Sequence, residues 1–195
     1  MVNNWYAEKG AIPNEGLPML DTKNQHDDLE VGRLLAGAAK TVARVRYCWL
    51  LTEAGSSIAN ARPMGRLLPA PDETNWTMRF VTDGRSRKAA EIRRGGRVEL
   101  IFQSDGDDAF LTLIGNASLI ERASEVDRLW KDSFAPYFPT AADRANAAFV
   151  EIDVARMELW IRGVTPEPFG LHPTTLERKG EGAWRLCDRA MAAVQ

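Results

Sequence analysis

An antiparallel β-barrel or sandwich with few helices is the fold class this sequence predicts, and three observations carry that reading. The chain breaks into six or seven short strand-like runs against only three helical segments. The regular strand–helix alternation of a parallel, doubly wound sheet is missing. The composition is that of one ordinary globular domain: 195 residues, 45% hydrophobic and 27% charged, enough to bury a core without a disulfide or metal staple.

The elements follow in order. Residues 1–26 show no periodicity and carry Pro13, Gly16 and Pro18, which predicts a loose arm. Val31, Leu34, Leu35, Ala38, Ala39 and Val42 then recur on one helical face, with Asp27 and Asp28 at the expected positive end. From residue 45 the period changes to two. Val45, Tyr47, Trp49 and Leu51 alternate, Gly55-Ser56-Ser57 turns the chain, and Ile58 to Leu68 returns, which predicts a hairpin. A strand over Trp76–Thr82 is broken by Asp83-Gly84, and a short helix from Ser86 to Arg94 follows, with Ser86 as N-cap and Gly95-Gly96 as its end. Strands at 97–103 and 109–121 flank the turn-rich run Ser104–Asp108. Residues 123–133 read as a helix, and Phe138-Pro139 as an irregular connection.

The run from Phe149 to Arg162 is the most informative strand. Val150, Ile152 and Val154 share one parity, whereas Met157, Leu159 and Ile161 share the other. Such a phase slip predicts a β-bulge near Ala155-Arg156. It leaves Trp160 beside Glu158 and Arg162, an aromatic among charges, suited to a ligand platform or a subunit interface. Residues 170–178 and 183–188 read as a terminal hairpin around Lys179–Gly182.

Several chemistries are excluded by what is missing. The two histidines, His26 and His172, have no partners at metal-ligand spacing, so no metal is expected. There is no nucleophile elbow, P-loop or dinucleotide fingerprint. Cys48 and Cys187 form no CxxC pair and read as free thiols in a reducing compartment. The first twenty residues lack the features of a secretory signal, and no run reaches the length of a membrane span, which predicts a cytoplasmic protein that does not bind membranes. What remains is a basic run: Arg85, Arg87, Lys88, Arg93, Arg94 and Arg97, opposed only by Glu91. Taken alone it fits a solvated helix face. At the start of a helix, however, the hydroxyl of Ser86 and the cations of Arg87 and Lys88 meet backbone amides, a combination suited to a phosphate dianion. Arg62, on the preceding hairpin, supplies a third cation. Nucleic acid is not expected: the net charge is −2 and the run holds no stacking aromatics.

Four segments carry a family resemblance. Ala61-Arg62-Pro63-Met64, Phe80-Val81-Thr82 with Ser86-Arg87-Lys88, Leu113–Ala117 and Met157-Glu158-Leu159-Trp160 resemble, in order and spacing, the motifs of the pyridoxamine 5′-phosphate oxidase-like flavoproteins, in particular their general-stress-protein branch. The resemblance implies an FMN-binding split β-barrel of antiparallel, Greek-key type over residues 27–162, with residues 163–195 as a hairpin packed on the same domain. It implies that Arg62, Ser86, Arg87 and Lys88 hold the FMN phosphate. Pro63, Met64, Val81 and Thr82 would line the ring and ribityl chain. Trp160 would border the flavin across a homodimer. At the position of the family's flavin-contacting Gln this chain has Phe110, with Gln103 as the nearest substitute. The Arg-Leu-His-Asp-Arg segment of the true oxidases becomes Gly170-Leu171-His172-Pro173-Thr174, which keeps His172 and loses both arginines. Oxidation of pyridoxamine 5′-phosphate is therefore not expected. Two functions stay open: an FMN-dependent oxidoreductase with an unknown small-molecule electron donor and His172 as the candidate proton carrier, or a non-catalytic stress protein that sequesters or senses the flavin.

Overall fold

The computed structural model describes residues 22–53, 59–65, 76–178 and 182–187. The arm up to residue 21, the Gly55-Ser56-Ser57 turn, the strand continuation to Leu68 and the Gly180-Glu181 turn lie outside them. Helix α1 spans Thr22–Arg44, and the predicted face is the buried one: Val31, Leu34, Ala38 and Val42 all enter the core. The helix starts at Thr22 rather than near Asp27. Asp27 and Asp28 therefore lie past its first turn, beyond the unpaired amides they were expected to serve.

Among the described residues, eight strands build one antiparallel sheet. They are β1 (Tyr47–Glu53), β2 (Ala59–Gly65), β3 (Thr77–Asp83), β4 (Arg97–Ser104), β5 (Ala109–Ile120), β6 (Ala147–Ile161), β7 (Thr174–Glu177) and β8 (Arg185–Leu186). The order is β2-β1-β4-β5-β6-β7-β8, with β3 added to β6. β6 carries β5 along one edge. On its other edge β3 occupies the first half and β7 the second. No ladder joins β2 to β3 among the described residues, so the sheet is open rather than closed into a ring. The mainly β, antiparallel class is the predicted one.

The predicted bulge lies where the phase slips. Ile114 pairs with Arg156 and Gly115 with Val154, so Ala155 is the extra residue. Gly115 faces the bulge closely: a Cβ there would overlap the Asp153 carbonyl and come within 3.0 Å of Val154 Cα. The bulge also divides the work of β6, since the β3 ladder ends before it and the β7 ladder begins after it.

The faces of the sheet are unequal. Cys48, Leu50 and Thr52 of β1 point inward with Leu100, Leu113, Met157 and Leu176, all buried. The aromatic parity of the same strand points outward, leaving Tyr47 54% and Trp49 51% exposed.

Between the strands, α2 (Arg87–Gly95) ends on Gly96 at φ 68°, the left-handed conformation glycine adopts without cost. The predicted helix 123–133 is cut short to α3 (Ala123–Leu129). Trp130 leaves helical geometry to meet Phe134 and Phe138 edge-on at 5.6 and 5.5 Å. Arg144 lies over its ring at 3.8 Å. A 3-10 turn at Asp132–Tyr137 and α4 (Ala141–Ala145) fill the stretch read as irregular. Together with Phe149 and Val81 they form a second small apolar cluster.

The terminal hairpin exists in shorter form, as β7 and β8. It continues the sheet from β6, burying Thr174, Thr175 and Leu176. Arg178 fastens it at the bulge. Its amide donates to Ala155 O at 2.9 Å and its Nε to Val154 O at 2.6 Å. The guanidinium also pairs with Asp153 and lies over Trp184, which meets Trp76 edge-on.

Candidate functional site

The site is built where β3 gives way to α2. After Asp83 the chain turns, and the Ser86 amide donates to Asp83 O at 3.0 Å. Ser86 is extended (φ −68°, ψ 154°) and caps α2, its Oγ accepting from Ala89 N at 3.4 Å. Thr82 Oγ1 stands 3.4 Å from Ser86 Oγ. Thr82, Ser86, Arg87 and Lys88 thus gather around the first turn of a nine-residue helix, where the leading amides precede the intrahelical ladder and the dipole favours an anion.

The basic run divides by role. Arg85 turns away into ion pairs with Asp83 and Asp143, at 2.7 and 3.2 Å. Arg93 pairs with Glu121. Lys88 has no ion pair among the described residues. Its half-burial, and next the neighbouring Arg62 guanidinium, push its ammonium below the usual lysine range, against the opposing pull of Asp83.

Arg62 reaches this place from the inner face of β2. Inward and outward residues alternate there, so Asn60, Arg62 and Met64 point in while Pro63 stays exposed. Arg62 Nη2 donates to Thr52 Oγ1 at 2.7 Å, to Glu91 Oε2 at 2.8 Å and to Asn60 O at 3.1 Å. Its Nε is buried and has no hydrogen-bond partner among the described residues.

Glu91 is the residue that sequence reasoning missed as part of the site. Its side chain is only 2% exposed. It accepts from Thr52 Oγ1 at 2.5 Å, Asn60 Nδ2 at 2.6 Å and Arg62, and Arg87 Nε lies 3.5 Å from Oε1. Burial alone would raise its carboxyl, but the hydrogen bonds from Thr52, Arg62 and Asn60 outweigh it and hold it below the usual carboxylate range. Its sequence spacing gave one signal: position 91 falls four residues after Arg87, on the same side of α2.

The other predicted residues are spread more widely. Met64 and Thr82 are buried, and Val81 packs toward the cluster around Phe134. Trp160 stands on the outer face, with Phe110 as its register partner and Gln103 next to that. Gln103 is therefore on the same row as Phe110, with its amide engaged by Asp105 at 2.6 Å. Pro63 and Trp160 share this outer face but lie on β2 and β6, four strands apart, or roughly 19 Å along the sheet at about 4.8 Å per strand. His172 is exposed in the bend before β7, well along the sheet from β2.

Comparison with known proteins places the fold and the family. The sequence model of the family described as "Pyridoxamine 5′-phosphate oxidase like" matches residues 36–165. No curated protein matches the sequence. Among solved structures, a Clostridium acetobutylicum protein related to general stress protein 26 superposes with a TM-score of 0.60 at 16% identity, covering 75% of this chain and 95% of its own. An FMN-binding, pyridoxamine 5′-phosphate oxidase-related protein of Nostoc punctiforme gives 0.58 at 14% identity, covering 89% and 99%. The general stress FMN/FAD-binding protein of Xanthomonas citri gives 0.53 at 22% identity, covering 71% and 92%. At these identities the likeness is one of fold.

Proposed function

Because the chain belongs to the pyridoxamine 5′-phosphate oxidase-like family, we propose that it binds a flavin, FMN, through the anion site at the start of α2. The observation that carries this is the buried Arg62 Nε, without a partner among the described residues, beside a half-buried Lys88 and a serine-capped helix N-terminus. A buried donor lacking an acceptor costs roughly 1–3 kcal/mol. A phosphate dianion would supply acceptors to Arg62, Arg87, Lys88 and the Ser86 hydroxyl together, and desolvated phosphate needs several such charge-assisted donors. The residues present therefore fit the group. Pro63, Met64, Val81 and Thr82 would contribute apolar walls and backbone groups to the rest of the cofactor.

A bound flavin would supply electron or hydride acceptance, and the protein's part is to place it and shape access to it. Trp160 lies too far along the sheet from Pro63 for both to border one ring within a single chain, so the reading includes a homodimer in which Trp160 serves the partner's site. The chain then acts as a flavin-dependent oxidoreductase of unidentified donor. One observation favours the second reading, a flavin-binding stress protein without catalysis: the candidate proton carrier, His172, is exposed in a bend. The decisive measurement is titration of the purified protein with FMN, read by flavin absorbance and fluorescence quenching. Saturable binding supports the flavin reading, and no uptake removes it. Stopped-flow mixing of the loaded protein with NADH or NADPH then separates enzyme from carrier, since reduction and reoxidation in air occur only in the former.

A further inference from the structure

The buried carboxylate of Glu91 has no role in the cofactor reading so far, yet it sits at the centre of the site. It gathers donors from three elements: Thr52 of β1, Asn60 and Arg62 of β2, and Arg87 of its own helix. Two of these donors are cations expected to meet the phosphate. Placing a carboxylate in such a site has an electrostatic cost, because it opposes an incoming anion. A site evolved only for positive charge would hold an apolar or amide side chain there.

We propose that Glu91 is the positioning residue of the anion site, fixing Arg62 by its Nη2 end so that the Nε edge is left as the donor for the phosphate. The inference rests on the flavin reading above. Arg62 occupies an edge strand, and a long guanidinium side chain has many rotamers to lose on binding. Thr52 Oγ1 completes the clamp, donating to Glu91 and accepting from Arg62 at 2.5 and 2.7 Å. With Nη2 held by Thr52, Asn60 O and Glu91, the side chain is ordered before the ligand arrives, which lowers the cost of binding. Glu91 also compensates the charge of Arg62 within the interior, where an unpaired guanidinium would turn out to solvent.

Positioning and simple charge opposition predict opposite signs. Glu91→Gln keeps the shape and removes the charge. If Glu91 positions Arg62, this variant binds FMN about tenfold or more weakly, the loss expected for a charge-assisted hydrogen bond. Affinity for riboflavin, which has the same ring and no phosphate, stays within about twofold. If Glu91 merely opposes the anion, Glu91→Gln binds FMN more tightly, and the proposal is overturned. Thr52→Val serves as the second variant, should Glu91→Gln fail to fold. It leaves every charge in place and still weakens FMN by about threefold with riboflavin unchanged. Equal losses for FMN and riboflavin in Thr52→Val indicate a general loosening of the fold and also overturn the proposal. In an Arg62→Met background, Glu91→Gln has no further effect on FMN affinity if it acts through Arg62; an undiminished effect counts against it. A wild-type protein that takes up riboflavin and FMN equally well refutes the phosphate-positioning role, whereas one that takes up neither removes the flavin reading itself.

Discussion

Lys88 and Glu91 sit one turn apart on α2 and are pushed in the same direction for different reasons. Burial and the nearby Arg62 favour the uncharged form of Lys88, so its proton is lost at lower pH than that of an exposed lysine. A phosphate bound there prefers the ammonium. FMN affinity should therefore be full near neutrality and fall as pH rises through this lowered value, below the ordinary lysine value of about 10.4. Titrations between neutral and alkaline pH check this, and Lys88→Ala should abolish that alkaline limb; together with Arg87→Ala it should release the flavin. For Glu91 the sign reverses. Its carboxyl is held below its unfolded value, so the stability it contributes is present above the unfolded value and is lost as pH falls through the folded one. Acid unfolding of Glu91→Gln should lack that component. At Gly115 the constraint is steric. A methyl group there overlaps the Asp153 carbonyl opposite the bulge, and the obstacle is backbone, which cannot rotate away. Gly115→Ala should cost about 3 kcal/mol, measured by denaturant unfolding.

Among elements, the terminal hairpin is fastened at the bulge by one side chain in addition to its ladder with β6. Arg178 is 8% exposed and joins β7 to the bulge through Val154 O, Asp153 and the face of Trp184. Arg178→Ala strips the charged donor from a buried carbonyl, worth about 1.5–3 kcal/mol. The loss should appear as faster amide hydrogen exchange over Thr174–Glu177, while β4 and β5 keep their protection. Slow exchange throughout would show that Trp184 packing alone holds the hairpin. The bulge to which it is fastened was legible in the sequence, because a parity switch between Val154 and Met157 can only mean an inserted residue. The helix face of α1 and the serine cap of α2 were legible for similar local reasons. The shortened α3 was not, since Trp130 breaks the helix for contacts with Phe134, Phe138 and Arg144 that form only in the folded chain. Glu91 was hidden in the same way. In the sequence it is one acid among six arginines and lysines, a pattern normally found at the surface. Its burial comes from β1 and β2 folding over it.

At the scale of the whole molecule, the outward parity of β1 is the feature that a single chain leaves unexplained. Alternation normally hides the aromatic side of a strand, yet here Cys48, Leu50 and Thr52 face the core while Tyr47 and Trp49 face outward. Ile101, Phe110, Ile114 and Trp160 extend the same face across β4, β5 and β6, all of them partly open. Exposed aromatic and aliphatic side chains on one face suit an interaction site, and under the homodimer proposed above a second copy of the chain would cover it. In a two-fold assembly each substitution is present twice in one interface. Trp49→Glu should therefore raise the dimer dissociation constant by at least about a hundredfold, from two buried uncompensated charges. The substitution lies on the outer face, away from Arg62, Ser86 and Lys88, so a monomeric variant should keep the fold, with unchanged circular dichroism. Light scattering across a dilution series gives the association state, and flavin titration on the same samples gives the linkage. If the partner's Trp160 borders the ring, FMN affinity falls as the dimer dissociates, and Trp160→Ala weakens FMN even in samples concentrated enough to stay dimeric. A wild-type protein that stays monomeric at high concentration and still binds FMN tightly would place the whole site within one chain.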